Sequence, residues 1–416
     1  MKHLRHILIV LLLPALLLGL PLLGVWLVGK PVADYFEFPP LTRYVTHAGF
    51  AWPVFIALAA GIVGFLAWAL VLGTRKHGQT RTRTDGHGPA GQLPDRPTAA
   101  PSHRFPAWGW AALALTAAAW LLAWTRFGWF APCQKYSFIP LWLGYILTVN
   151  ALTFRRTGRC MLTHRTAHFL ALFPASMVFW WFFEYLNRFV QNWYYIGAEG
   201  MGPLQYTVVA SLSFSTVLPA VLGTAELLET WRIFARGNAV TQPHHHTAAP
   251  VAPRLALLTL CAGGLAAVGV WPDYLFPLLW LAPLGLMLGL NGFMVQRLSG
   301  SRGGADEHGR ARTGTGQHGQ SPTAPPLHRH TATPFPSPAA LMLAGLACGF
   351  FWEMWNMWSL AKWVYSVPFV DRFHLFEMPA LGYAGYLPFG IECAAAALWI
   401  EFVFSPQRSR KPGETP

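Results

Sequence analysis

Ten stretches of this chain are apolar over, or nearly over, the roughly 20 residues that a helix needs to cross a bilayer. They run 7–28, 48–73, 107–125, 138–154, 167–189, 204–228, 255–271, 277–297, 339–361 and 380–404. Composition supports the same reading. Of 416 residues, 54% are hydrophobic and only 11% are Asp, Glu, Lys or Arg. Soluble domains carry about 25% charged residues, so a soluble chain of this size would lack the charge to cover its surface. Disordered, collagen-like and coiled-coil compositions fail as well. The expected fold is an all-α polytopic membrane protein with about ten transmembrane helices.

The first stretch follows a basic start, Lys2 to His6. A cleaved signal peptide would have a shorter apolar core, about 7–15 residues, and a small-residue cleavage site. This stretch is longer and no such site follows, so it is read as a retained span.

Net charge is +13, which in a soluble chain would suggest nucleic acid. The distribution gives another reason. With a cytoplasmic N-terminus, 23 of the 30 lysines and arginines fall on inner segments. The other seven are Lys30, Arg43, Arg126, Lys135, Arg188, Lys362 and Arg372. Every inner loop is basic, as the positive-inside rule requires. Both termini are therefore expected in the cytoplasm of a bacterial-type inner (plasma) membrane. No nucleic-acid partner is expected; membrane lipids are.

Three inner loops, 74–106, 237–253 and 298–338, are rich in Gly, Pro, Thr, His and Arg. They lack the apolar residues that would offset ordering and are expected to be disordered. His244, His245 and His246 lie in the second; a solvated linker is favoured there over a metal site. Five cysteines form no CxxC pair, so neither a disulfide framework nor a zinc site is expected.

Comparison of the chain with itself suggests a duplication. Tyr136 to Leu143 matches Tyr274 to Leu281 at an offset of 138. Phe182-Phe183-Glu184-Tyr185-Leu186-Asn187 matches Phe351-Trp352-Glu353-Met354-Trp355-Asn356 at 169, and Leu218-Pro219 matches Leu387-Pro388 at the same 169. The expected organisation is a two-span segment at 1–73, a loop at 74–106, a four-span copy at 107–236, a linker at 237–253, a second copy at 254–405 with its insert at 298–338, and a tail at 406–416. An even number of spans per copy makes the duplication parallel, with its pseudo-two-fold axis along the membrane normal.

Ionisable residues within spans are costly and are functional candidates by default. Glu184 and Glu353 occupy matching places, with Asn187 and Asn356 three residues on and so on the same helix face. Arg188 is placed to pair with Glu184; Lys362 is a candidate partner for Glu353. Glu392 is a lone carboxyl near the middle of the last span, and Glu377 lies just before it. Asp371, Arg372 and His374 fall in the same outer layer. Around it run Trp180, Trp181, Trp193, Tyr194, Tyr195, Trp352, Trp355, Trp358, Trp363 and Tyr365. An interfacial aromatic belt explains many of these, but Trp352 and Trp355 flank Glu353 inside its span. A structural interhelix hydrogen bond is the competing explanation for Glu184 and Glu353.

A carboxyl among aromatics tends to hold its proton and can serve as a general acid near neutral pH. The expected function is accordingly a membrane-embedded enzyme acting on a lipid or isoprenoid. Glu353, Glu392 and Glu184 would be its acid/base groups. Asn187, Asn356, Arg188, Trp352, Trp355, Lys362 and Glu377 would bind substrate. No metal or cofactor is expected: DDxxD, GxSxG, Walker and HExxH patterns are all missing from the sequence. Two alternatives stand beside this: a transporter or channel on the pseudo-two-fold axis, and a scaffold subunit of a membrane complex. The plain apolar inner halves of spans 3, 5, 7 and 9 weaken transport. The run Ser211, Ser213, Ser215 and Thr216 in span 6, and Asn150 and Asn291 near inner ends, keep it open.

Overall fold

The computed structural model describes residues 2–81, 103–231, 233–234, 250–292, 294 and 336–404. The cores of the three low-complexity loops, the three adjacent histidines and the tail lie outside the described residues.

Among the described residues, eight helices are long and apolar enough to cross a membrane: His6–Leu27, Ala107–Trp124, Phe138–Thr157, Thr166–Val190, Pro203–Glu229, Val251–Val268, Pro338–Met357 and Ala380–Phe404. Two further apolar helices, Trp52–Ala67 and Pro277–Leu290, are shorter. The protein is a multi-pass, helical membrane protein. Eight of the expected spans overlap the long helices, and the other two, 48–73 and 277–297, overlap the shorter ones.

The elements are α1 (Lys2–Leu27), α2 (Trp52–Arg81), α3 (Ala107–Trp124), α4 (Phe138–Thr157), α5 (Met161–His164), α6 (Thr166–Val190), β1 (Trp193–Ile196), α7 (Pro203–Phe214) and α8 (Val217–Glu229). They continue with α9 (Val251–Val268), α10 (Pro272–Leu275), α11 (Pro277–Leu290), α12 (Pro338–Met357), β2 (Lys362–Tyr365), β3 (His374–Leu375), β4 (Met378–Pro379) and α13 (Tyr386–Phe404).

Helix pairs close through small residues. This is the device expected where lipid offers no hydrophobic drive for association. Gly144 of α4 lies against the backbone of Thr116 in α3, and Gly285 of α11 lies against Cys261 in α9. Gly345 and Gly390 bring α12 and α13 together so tightly that a Cβ on either would collide with opposing backbone. α8 packs on α4, α6, α12 and α13. Ala220, Cys393 and Ala394 there are fully buried.

Span 6 is broken at Ser215 and Thr216 into α7 and α8. Its hydroxyls bond locally. Ser213 Oγ donates to the Val209 carbonyl, Ser215 Oγ to Leu212 and Thr216 Oγ1 to Ser213. Such back-bonding bends or interrupts helices. Ser176 of α6 stitches the break, donating to the Phe214 carbonyl and accepting from the Leu218 amide. The serine run is thus committed to the fold, and so is Asn150. Its Nδ2 donates to the Ile146 carbonyl and its Oδ1 accepts from the Leu162 amide.

Two features close the end of the bundle at which α6 and α12 terminate. The first is a ribbon of β1 and β2, paired antiparallel with Trp193 opposite Tyr365 and Tyr195 opposite Trp363. These runs are aromatic and β-branched, which suits strand packing. The second is the segment between α1 and α2. Gln191, which caps α6 in the left-handed region (φ 48°), holds it by its side chain. The Tyr44 and Val45 amides donate to Gln191 Oε1, and Gln191 Nε2 donates to the Thr42 carbonyl. Tyr44 donates its hydroxyl to the Arg188 carbonyl at 2.6 Å, and burial pushes that hydroxyl's pKa up. Asp273 of α10 accepts from the Ala48 amide and meets His47 Nδ1 at 2.7 Å.

Candidate functional site

Among the described residues, the buried acidic or basic side chains are Glu184, Glu353 and Glu392. Two of the three sit in matching settings beneath the ribbon.

Glu184 lies one turn and a half from the end of α6. Its Oε1 accepts from the Tyr195 hydroxyl at 2.5 Å, Trp180 Nε1 at 2.9 Å and Trp193 Nε1 at 3.2 Å. Asn187, on the same face, clamps the start of β1. Its Nδ2 donates to the Trp193 carbonyl at 2.8 Å, and its Oδ1 accepts from the Asn192 amide at 2.9 Å. In α12, Glu353 Oε1 accepts from Tyr386 at 2.5 Å and Tyr365 at 2.7 Å. Trp363 Nε1 donates to the Tyr365 hydroxyl at 3.0 Å. Asn356 donates to the Trp363 carbonyl at 2.7 Å and accepts from the Trp363 amide at 3.0 Å. In each case a helix presents Glu-x-x-Asn, and the strand that follows returns Trp-x-Tyr to it. Glu353 Oε2 has no partner.

Both expected ion pairs are replaced. Arg188 makes no salt bridge or hydrogen bond with Glu184, whose carboxylate is already taken by three aromatic donors. Lys362 turns away from Glu353 and is taken by Glu377, with the Met357 carbonyl as a second acceptor at 3.2 Å. The exposed end of α12 supplies that carbonyl, where helix C-termini favour a cation.

A cavity of about 500 Å³ opens beside the ribbon. Its walls come from β1, β2, α7, the first turns of α11 and α13, and the turn at 380–385, with single side chains from α4, α6, α8 and α12 and Ile62 of α2 on one flank. Aromatic faces dominate: Trp180, Trp193, Trp280, Trp352, Trp363 and Phe389 are all in the wall. Phe389 meets Trp280 and Trp352 at ring-centroid distances of 6.0 and 6.1 Å. Of the site residues expected from sequence, Trp352 and Lys362 line the cavity. Glu184 and Glu353 stand one side chain behind the wall, reached through Tyr195, Tyr365 and Tyr386, which do line it. Asn187 and Asn356 hold the ribbon from beneath. Trp355 lies away from the cavity, edge-to-face with Trp142 at a ring-centroid distance of 5.1 Å. Glu377 touches the rim through Lys362. Arg188 lies outside, under the Tyr44 segment.

Glu392 is elsewhere. It is fully buried in α13, neither oxygen has a hydrogen-bond partner, and it is not part of the cavity wall. Its carboxyl approaches the Leu284 backbone in α11 without closing a hydrogen bond by geometry.

Sequence reasoning overlooked Tyr386 and Asn192. Nothing local marks Tyr386, which opens α13 far from Glu353 in sequence. Asn192 stands beside the Trp-x-Tyr runs. Aligning those runs, Trp193-Tyr194-Tyr195 with Trp363-Val364-Tyr365, at six and seven residues past each Asn, would have exposed the strands. No group of three or more His, Cys, Asp or Glu that could hold a metal occurs among the described residues. No family model matches the chain, and no curated protein or solved structure is significantly similar to it.

Proposed function

We propose that the cavity takes the apolar chain of a lipid or isoprenoid in the outer half of a bacterial-type inner membrane, and that the chain is a membrane-embedded enzyme working on it by acid/base chemistry. The observation that carries this reading is the placement of Glu353. Two tyrosines of the cavity wall, Tyr365 and Tyr386, both point their hydroxyls at its Oε1. A hydroxyl in the wall can give a proton to a bound chain, or take one from it, while the carboxyl behind exchanges that proton. Tyr195 and Glu184 form a second such pair. Aromatic faces suit the cationic character that protonation of an unsaturated chain creates. Glu392 has no place in this relay.

The wider architecture belongs to the same proposal: ten spans, both termini cytoplasmic, and two parallel copies of a four-span unit. The charge count by side supports the orientation. The paired Glu-x-x-Asn and Trp-x-Tyr arrangements support the duplication. So does the strand register, in which Trp193 faces Tyr365 as Trp363 faces Tyr195. The transporter reading draws no support from α8 and α13, which pack together and in which Ala220, Cys393 and Ala394 are fully buried.

The test is the lipid composition of cells that carry, lack or overproduce the chain, read by mass spectrometry. Loss of the chain should shift one lipid class, and Glu353→Gln and Tyr365→Phe should reproduce that shift. Full complementation by both variants would remove the enzymatic reading.

A further inference from the structure

The wall of the cavity carries a buried carboxamide with nothing to bond to. Asn192 follows the left-handed cap of α6 and precedes β1. Its backbone is fully used: the amide donates to Asn187 and the carbonyl accepts from the Ser366 amide. Its carboxamide has no partner, although the residue is only 4% exposed and Oδ1 is buried. A buried amide left unpaired is costly, and native proteins keep few such groups.

Several other polar groups of the wall are already engaged. Tyr195, Tyr365 and Tyr386 have committed their hydrogens to Glu184 and Glu353. Ser213 donates to its own helix. Lys362, the one lysine or arginine in the wall, is neutralised by Glu377. The cavity therefore offers no free charge, a wide apolar surface and, in Asn192 Oδ1, a buried polar atom with no partner. Its volume falls within the roughly 300–1,000 Å³ of sites that enclose a drug-sized molecule.

We infer that the ligand is an uncharged single-chain amphiphile whose hydroxyl or carbonyl hydrogen-bonds the Asn192 carboxamide while its chain lies along the aromatic wall. This rests on the chain-binding part of the proposed function and not on any chemistry at Glu353. An anionic head would have to displace Glu377 from Lys362. A cationic head would have to displace Lys362 from Glu377. A neutral hydroxyl or carbonyl needs neither.

The test uses the purified full-length protein in detergent, with intrinsic tryptophan fluorescence read against hexadecane, hexadecanol and hexadecanoate at about pH 9, where the fatty acid is ionised. Wild type should bind hexadecanol about tenfold tighter than hexadecane, the worth of one buried hydrogen bond, and tighter than hexadecanoate. Asn192→Leu should erase the preference for the alcohol while keeping hexadecane affinity. Because the side chain bonds to nothing in the fold, this variant should melt at or above the wild-type temperature. If Asn192→Leu retains the tenfold preference, or if wild type prefers hexadecanoate, the inference is wrong and the chain-binding reading survives. Should wild type bind none of the three probes, the chain-binding reading itself is lost and this one with it.

Discussion

Glu184 and Glu353 show how a carboxyl can be kept inside a membrane protein without a cation. Tyrosine and tryptophan donors supply what a lysine or arginine would, and each donor is also part of a wall or a strand. At Glu184 three donors converge on one oxygen. Glu184→Leu would leave all three unpaired and should cost about 3 kcal/mol or more. Glu184→Gln keeps an accepting oxygen and should cost about 1 kcal/mol; thermal unfolding in detergent separates the two. Asn356 is more demanding. Its carboxamide satisfies both the amide and the carbonyl of Trp363. Asn356→Leu should therefore destabilise by about 2–4 kcal/mol and free β2 to exchange its amides, which hydrogen exchange would detect. A variant with unchanged protection at Trp363 would contradict that role. The two carboxyls and two asparagines were legible in the sequence because polar residues in apolar spans stand out. Their partners were not legible. Tyr195 and Tyr365 sit among so many aromatics that an interfacial belt absorbs them, and Tyr386 is brought to Glu353 only by the packing of α12 on α13.

At the scale of elements, the spans were readable because length and apolarity determine them. What lies between spans was harder. Four-residue strands are too short to show a period, and the break in span 6 hides in a serine run whose hydroxyls suit a polar route and a helix interruption equally well. Only the observed bonds to carbonyls within the same helix decide for the second. Close helix contacts give sharper expectations. At Gly345 and Gly390 a methyl group would strike backbone of the facing helix. Overpacking of this kind typically costs about 1–3 kcal/mol. Gly390→Ala should lower the melting temperature and disturb Tyr386 next to it, whereas Gly61→Ala in α2, with nothing nearby, should be silent. The segment between α1 and α2 hangs largely on Gln191. Gln191→Ala would release three hydrogen bonds, and protease nicking between residues 37 and 48 should rise clearly, with the helical core intact.

For the whole molecule, the distribution of charge is the argument for the proposed orientation, and the cysteines can test it. Cys133 is exposed between α3 and α4; Cys160 is buried after α4. Burial pushes the Cys160 thiol above its usual value, so less thiolate is present at neutral pH, and thiolate is the reactive form. A membrane-impermeant maleimide on intact cells should label Cys133 and spare Cys160. Opening the membrane should add little at Cys160 until the pH is raised. Labelling of Cys133 only after permeabilisation would reverse the topology. The proposed orientation rests on loop composition alone, so it is argued from the sequence and not from the structure. The cavity could not be foreseen in that way, because its wall is assembled from seven separated stretches, including the flank of α2.

The ribbon of β1 and β2 also has a consequence for how the chain is made. β1 is complete once residue 196 has been synthesised, but its partner strand begins at 362. At about 5–20 residues per second, the ribosome needs on the order of ten to thirty seconds to cross that interval. Throughout it, the nascent chain presents a bare strand edge outside a half-inserted bundle. Unpaired edges recruit other strands, so biogenesis must shield this one. The period in which the protein is most exposed to mispairing is therefore the wait for its own second strand.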